Sequence, residues 1–155
     1  MIRSHSLSSD GSVARAYRLL PDAETGRVAL VDMRAACGFP SPAADYEAEE
    51  VTLDQLMVRN PLATILVEAA GDSMVEAGIF EGDLLVVDRE VEPRSGSIVL
   101  ACYDGSFTVK RLRLDPKGRI ELHPENPLSG CGVLRPRPGE QFEIEGVVTG
   151  LARRL

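Results

Sequence analysis

Histidine and lysine are scarce in this chain. Of 155 residues, two are histidine (His5 and His123) and two are lysine (Lys110 and Lys117), so arginine supplies nearly all of the positive charge. The shortage of histidine narrows the bases open to any nucleophile. His5 falls in a polar N-terminal stretch, and His123 lies at a strand end in "ELHPEN", where packing or solvent exposure is its ordinary fate. Cysteine is limited to Cys37, Cys102 and Cys131. An odd number without close spacing gives no disulfide framework and points to reduced thiols in a cytoplasmic setting. A zinc or cysteine-dependent site from Cys102, His123 and Cys131 has weak support, because no C-x-x-C pair is present. No apolar run reaches transmembrane length, and "MIRSHSLSSDGS" lacks the apolar centre of a signal peptide. Basic excess is missing as well. Net charge is -7, and residues 38–155 hold 12 basic against 20 acidic side chains. A phosphate-binding surface is therefore not expected to be the main function.

What is present reads as one domain with an arm. Hydrophobic residues at 44% and charged residues at 26% fit an ordinary globular chain. Residues 1–26 are expected to be largely disordered, with "VARAYRLL" (13–20) a short strand or a helical turn and Pro21 and Gly26 bracketing a turn. "RVALVDMRAACGF" (27–39) is given no firm state. Pro40 and Pro42 make the following linker extended. "VTLDQLMVRNP" (51–61) predicts a short helix: Thr52 and Gln55 have capping-box spacing, Leu53, Leu56 and Met57 form an apolar face, and Pro61 ends it. Six apolar runs then alternate with turn signals: 63–69, 83–89, 96–103, 106–114, 119–124 and 142–151. "YDGS" (103–106) is a hairpin signal and "DPKG" (115–118) a second turn. The fold class is mostly β, preceded by a flexible arm.

Ser73, in "GDSM", has two readings. A lone serine is most often an N-cap, its oxygen accepting an orphan amide at a helix start. A nucleophilic serine needs a base, and a Ser–Lys pair is one known arrangement. Lys117 sits in a turn. Lys110 sits inside "SFTVKRLRL", where alternation places it on one face with Thr108, Leu112 and Leu114. Either its stem snorkels along the sheet or its amine serves as a base, which arginine cannot do. A lysine of ordinary pKa is neutral about once in two thousand molecules at pH 7, a handicap of roughly 4–5 kcal/mol. Burial can lower that pKa by about 3–5 and remove most of the handicap. The catalytic reading thus requires Lys110 in a dry cleft.

"CGFPSPAADY" (37–46), "LDQLMVRNPLAT" (53–64), "GDSM" with "EGDLLVVD" (81–88), and "DGSFTVKRL" (104–112) carry a resemblance. From about residue 28 onward the chain resembles the UmuD-like members of the LexA-type self-cleaving serine–lysine peptidases of SOS mutagenesis. The resemblance implies a partly open β barrel, as in LexA and the signal peptidases, with no cofactor. It implies Ser73 as nucleophile, Lys110 as general base, and the backbone N–H groups of Asp72 and Ser73 as oxyanion donors. The bond cut is then Cys37–Gly38, giving an arm of residues 1–37, a linker of 38–50 and a peptidase-like domain of 51–155. Small residues around this bond let an oxygen approach closely, and Gly38 frees the backbone. The resemblance further implies stimulation by a RecA filament on single-stranded DNA, a homodimer of the trimmed chain, and partnership with the UmuC error-prone polymerase. Direct sequence-specific DNA binding and membrane association are not expected. The alternatives are a non-cleaving dimeric binding module of this fold and a LexA-like repressor remnant. The repressor is disfavoured by the short, non-helical arm and the acidic balance, and a signal peptidase by the lack of a membrane anchor.

Overall fold

The computed structural model describes all atoms of residues 52–155 and the backbone of residues 3–5, 13–18, 28–31 and 48–51. Four short strands come first: β1 (Arg3–His5), β2 (Val13–Arg18), β3 (Val28–Val31) and β4 (Ala48–Val51). Helix α1 (Leu53–Met57) follows. The β domain then contributes β5 (Thr64–Ala69), β6 (Leu84–Asp88), β7 (Ile98–Tyr103), β8 (Ser106–Leu114), β9 (Ile120–His123) and β10 (Phe142–Ala152). Each of the six apolar runs read from the sequence is a strand.

Eight strands form one antiparallel sheet in the order β1-β2-β5-β6-β10-β7-β8-β9, and β3 and β4 pair separately. The sheet is open. It curls enough to bring β2 near β8, five places away in the order. The curl agrees with a partly open barrel and places residues from distant strands around a common interior. Two apolar clusters fill that interior. Val67, Met74, Leu85, Val87, Leu100 and Val109 are central to one, and Val99, Leu112, Leu122 and Val147 to the other.

Local chemistry explains most element ends. The β7–β8 connection is the two-residue Asp104–Gly105 turn, with φ of 47° and 78°. Two consecutive positive φ values match the right-handed twist of a hairpin, and Asp-Gly tolerates them. At the β8–β9 turn Asp115 Oδ1 accepts from the amides of Lys117 and Arg119, at 2.8 and 2.9 Å. The Thr52 capping box is present in both halves, Thr52 N–H to Gln55 Oε1 at 2.8 Å and Gln55 N–H to Thr52 Oγ1 at 3.4 Å. The helix is shorter than its sequence suggests, since Val58 already has extended geometry three residues before Pro61. Its apolar face is not buried either: Leu53 and Leu56 are exposed.

The arm is less irregular than expected. Arg3–His5, within the segment read as a disordered tail, pairs with β2, and β2 pairs with β5. The backbone of 13–18 is a strand, which resolves the strand-or-helix ambiguity there. Strand β3 precedes the Cys37–Gly38 bond and β4 follows it, with Val28 opposite Val51 and Val31 opposite Ala48. Cys37 and Gly38 themselves lie outside the described residues, in the connection between these paired strands.

Gly146 marks the tightest strand contact. A Cβ there would lie 2.7 Å from the Asp88 carbonyl oxygen and 2.8 Å from Val87 Cγ1, where β10 shifts register against β7. Gly146→Ala is expected to cost about 1–3 kcal/mol by overpacking, seen as a fall in Tm of roughly 3–10 °C. An unchanged melting curve would show that β6 and β10 separate freely at this point.

Candidate active site

Lys110 is 2% exposed and is the largest fully buried side chain among the described residues. Lysine is almost never fully buried without partners, because its ammonium loses hydration. The strand register explains how it is held. Lys110 lies opposite Val99 on β7, and both Val109 and Lys110 are buried because the sheet is covered on both faces at this height. Thr108 and Leu112, expected on the Lys110 face, are buried too, whereas Leu114 runs out into solvent. The stem therefore packs in apolar surroundings and the amine meets polar atoms. Lys110 Nζ lies 3.0 Å from Ser73 Oγ, 2.7 Å from Thr108 Oγ1 and 3.1 Å from the Val109 carbonyl oxygen.

Ser73 is itself 6% exposed, so the pair lies away from bulk water. Its hydroxyl does not cap a helix. The short 3-10 turn after it covers Val75–Ala77, with Met74 at the capping position and no side-chain cap. The N-cap reading thus does not describe this serine, and its oxygen faces Lys110. Asp72, on the exposed side of the loop, accepts from the Val75 amide through its carbonyl, at 3.3 Å. Among the described residues, no group accepts from the backbone N–H of Asp72, Ser73 or Met74.

Two polar clusters hold the serine loop. On one side, Arg111 donates from Nε to Glu125 Oε1 and from Nη2 to Glu125 Oε2, both at 2.8 Å, and from Nη1 to the Gly96 carbonyl at 2.8 Å. This paired guanidinium holds the Glu125 carboxyl below the usual carboxylate range. On the other side, the buried Asp83 carboxylate accepts two hydrogen bonds from Arg153, whose guanidinium also donates to the Gly78 carbonyl and lies 4.5 Å from the centre of the Phe80 ring. Asp83 Oδ2 further accepts from the Phe80 amide at 2.8 Å. His123 is 2.9 Å from Glu121 Oε2 on the same strand. Cys102 is half-buried and Cys131 exposed, and both are free thiols.

Sequence reasoning missed Thr108, Arg111, Glu125, Asn126 and Arg153. Thr108 had a signal, since it sits two residues before Lys110 on the same strand face. The others act through contacts across 14 to 70 residues, which no local pattern encodes.

The curled, mostly β sheet thus holds a serine hydroxyl against a lysine amine in its interior. Residues 29–149 match the family described as Peptidase S24-like, and the chain belongs to that family. It is 50% identical over 125 residues to Protein SamA of Salmonella typhimurium, covering 81% of this chain and 84% of the relative. It is 46% identical over 116 residues to Protein MucA of Escherichia coli, covering 75% and 77%. It is 42% identical over 121 residues to the LexA repressor of an Acidovorax species, covering 77% of this chain and 52% of the repressor. No helix among the described residues is long and apolar enough to cross a membrane.

The Arg153 pairing holds the Asp83 carboxyl below its ordinary range. A depressed carboxyl stabilises the fold above its unfolded value of about 3.9, and the contribution is lost as pH falls through the lower folded value. Asp83→Asn should therefore destabilise the protein by about 1–3 kcal/mol at pH 7, between the worth of an exposed and of a buried pair. The gap from wild type should narrow below about pH 4 in urea titrations. A gap that stays constant down to pH 2 would mean that shape, not charge, holds the loop.

Proposed function

We propose that this chain is a self-cleaving serine peptidase that cuts its own Cys37–Gly38 bond. The observation that carries the reading is the 3.0 Å contact between Ser73 Oγ and a Lys110 amine that is almost wholly buried. Burial disfavours the ammonium, so this lysine is the one cation of the sheet suited to act as a base. A neutral amine has two N–H donors and one lone pair. That lone pair can accept the Ser73 hydroxyl proton across the 3.0 Å contact.

The reaction follows from these positions. Lys110 takes the Ser73 proton as Oγ attacks the Cys37 carbonyl carbon. The backbone N–H groups of Asp72 and Ser73 receive the oxyanion. The C–N bond breaks, Lys110 returns the proton to the leaving Gly38 amine, and Cys37 is left as an ester on Ser73. Water, deprotonated by Lys110, hydrolyses that ester and restores the serine. Substrate and catalyst share one chain, so the attack is intramolecular, which raises the effective concentration of the bond.

The proposed biological setting rests on the resemblance read in the sequence, and membership of the family supports its general kind. Cleavage is slow until a RecA filament on single-stranded DNA stimulates it. Residues 38–155 then dimerise in the cytoplasm and act as accessory subunit of the UmuC translesion polymerase during SOS mutagenesis. Similarity to SamA and MucA over most of each chain favours this role over a repressor, of which the chain matches about half.

The purified full-length protein, incubated at rising pH without activator and followed by intact mass, should release a fragment beginning at Gly38. The rate should climb with pH as Lys110 loses its proton, then level off. Lys110→Ala should slow cleavage by about 10²–10⁴-fold, the usual worth of a general base, and Ser73→Ala should give no fragment. If wild type stays intact, a RecA filament with nucleotide and single-stranded DNA is added. A chain that remains whole even then, or a Ser73→Ala chain that still cleaves, contradicts the reading.

A further inference from the structure

The serine loop is gripped from outside at its carbonyls. Asn126 Nδ2 donates to the Asp72 carbonyl oxygen at 2.9 Å, and the Glu125 amide donates to the Ser73 carbonyl oxygen at 2.7 Å. The Glu76 amide returns a bond to the Glu125 carbonyl at 2.9 Å. The Asn126 side chain has its orientation set by a second bond, since its Oδ1 accepts from the Leu128 amide at 3.0 Å and Nδ2 is left facing the loop. Arg111 anchors this whole segment to β8, one residue along from Lys110.

The carbonyl of Asp72 and the amide of Ser73 belong to a single peptide unit. In a trans peptide the C=O and N–H point in opposite directions. A donor that holds the Asp72 carbonyl therefore fixes the plane of the peptide and turns the Ser73 N–H away from Asn126. That N–H has no acceptor among the described residues. The geometry points to Asn126 as a positioning residue that aims the Ser73 amide as an oxyanion donor, with Glu125 and Arg111 holding it in place. This rests on the peptidase reading above. It adds a separate requirement: the base and nucleophile can be intact and the reaction still slow if the amide is misdirected, because preorganised donors must already point at the developing charge.

Asn126→Asp is the discriminating variant. It keeps an oxygen to accept from Leu128 N–H and removes the N–H that holds Asp72. Asn126→Ala removes both bonds. Three quantities are read on full-length chains: the first-order self-cleavage rate against pH, the Tm, and the amide 15N resonance of residue 73. The rate of Asn126→Asp should fall about 10- to 100-fold, less than deleting an oxyanion donor outright, with Tm close to wild type. The pH midpoint of Asn126→Ala should match wild type, because Lys110 is untouched. The residue 73 amide resonance should move in both variants. Cleavage of Asn126→Asp at the wild-type rate overturns the inference, and so does an unmoved resonance. If wild type itself never cleaves, the peptidase reading fails, and the resonance alone decides whether Asn126 sets the amide.

Discussion

The structure turns on a lysine amine held in an apolar interior against a serine hydroxyl. Neither group would be placed there by the hydrophobic effect. An ammonium loses several kcal/mol of hydration on burial, and a hydroxyl must find a partner. The fold meets both demands at one point. Ser73 and Thr108 supply oxygens and Val109 supplies a carbonyl, each within 3.1 Å of Nζ. The strands around them explain why the position stays fixed. Lys110 pairs with Val99 of β7, and from Arg111 onward β8 pairs with β9 as well, so the strand is held on both edges from the residue after the lysine. The serine lies on a loop, which by itself would be mobile, and the arrangement needs that loop to be as firm as the sheet.

Two charged clusters give the loop that firmness. Arg111 with Glu125 holds its beginning, and Arg153 with Asp83 holds its end. Both use a bidentate guanidinium, which fixes direction as well as distance. The chain's preference for arginine has a physical sense here. Arginine supplies the permanent, planar cation in both clusters, whereas the buried cation of the interior, Lys110, is a lysine, whose proton can be removed. Tethering of the arm adds a third constraint. Strands β2 and β3 lie before the proposed cut and pair with β5 and β4, which lie after it. Cutting the bond would sever the covalent link but leave these strand pairings to be broken separately.

Much of the β domain was legible in the sequence, because apolar alternation and turn chemistry are local. Asp104–Gly105 and the Thr52–Gln55 box could be read residue by residue. The helix was read too long, since Pro61 marks where a helix must stop and not where Val58 turns extended. Strand β3, the apolar run Val28–Val31, fell in a stretch given no firm state. Strands β1 and β4 had no such signal: Arg3–His5 is polar, and Ala48–Val51 contains two glutamates in a row. Their extended state comes from pairing. At the site, Ser73 and Lys110 stood out as residue types, and the family resemblance joined them. Their separation of 37 positions along the chain hid the contact from any pattern. Asn126 and Glu125 were silent, because a side chain that grips a distant carbonyl looks like any loop residue.

The central claim is that Lys110 is neutral when its neighbours need a base, and its titration tests this directly. In an uncut Ser73→Ala chain, the side-chain 13Cε resonances of only two lysines have to be told apart, one buried and one exposed. Lys110 should titrate well below the ordinary lysine value of about 10.4. A Lys110 resonance that titrates at that ordinary value would contradict a neutral base.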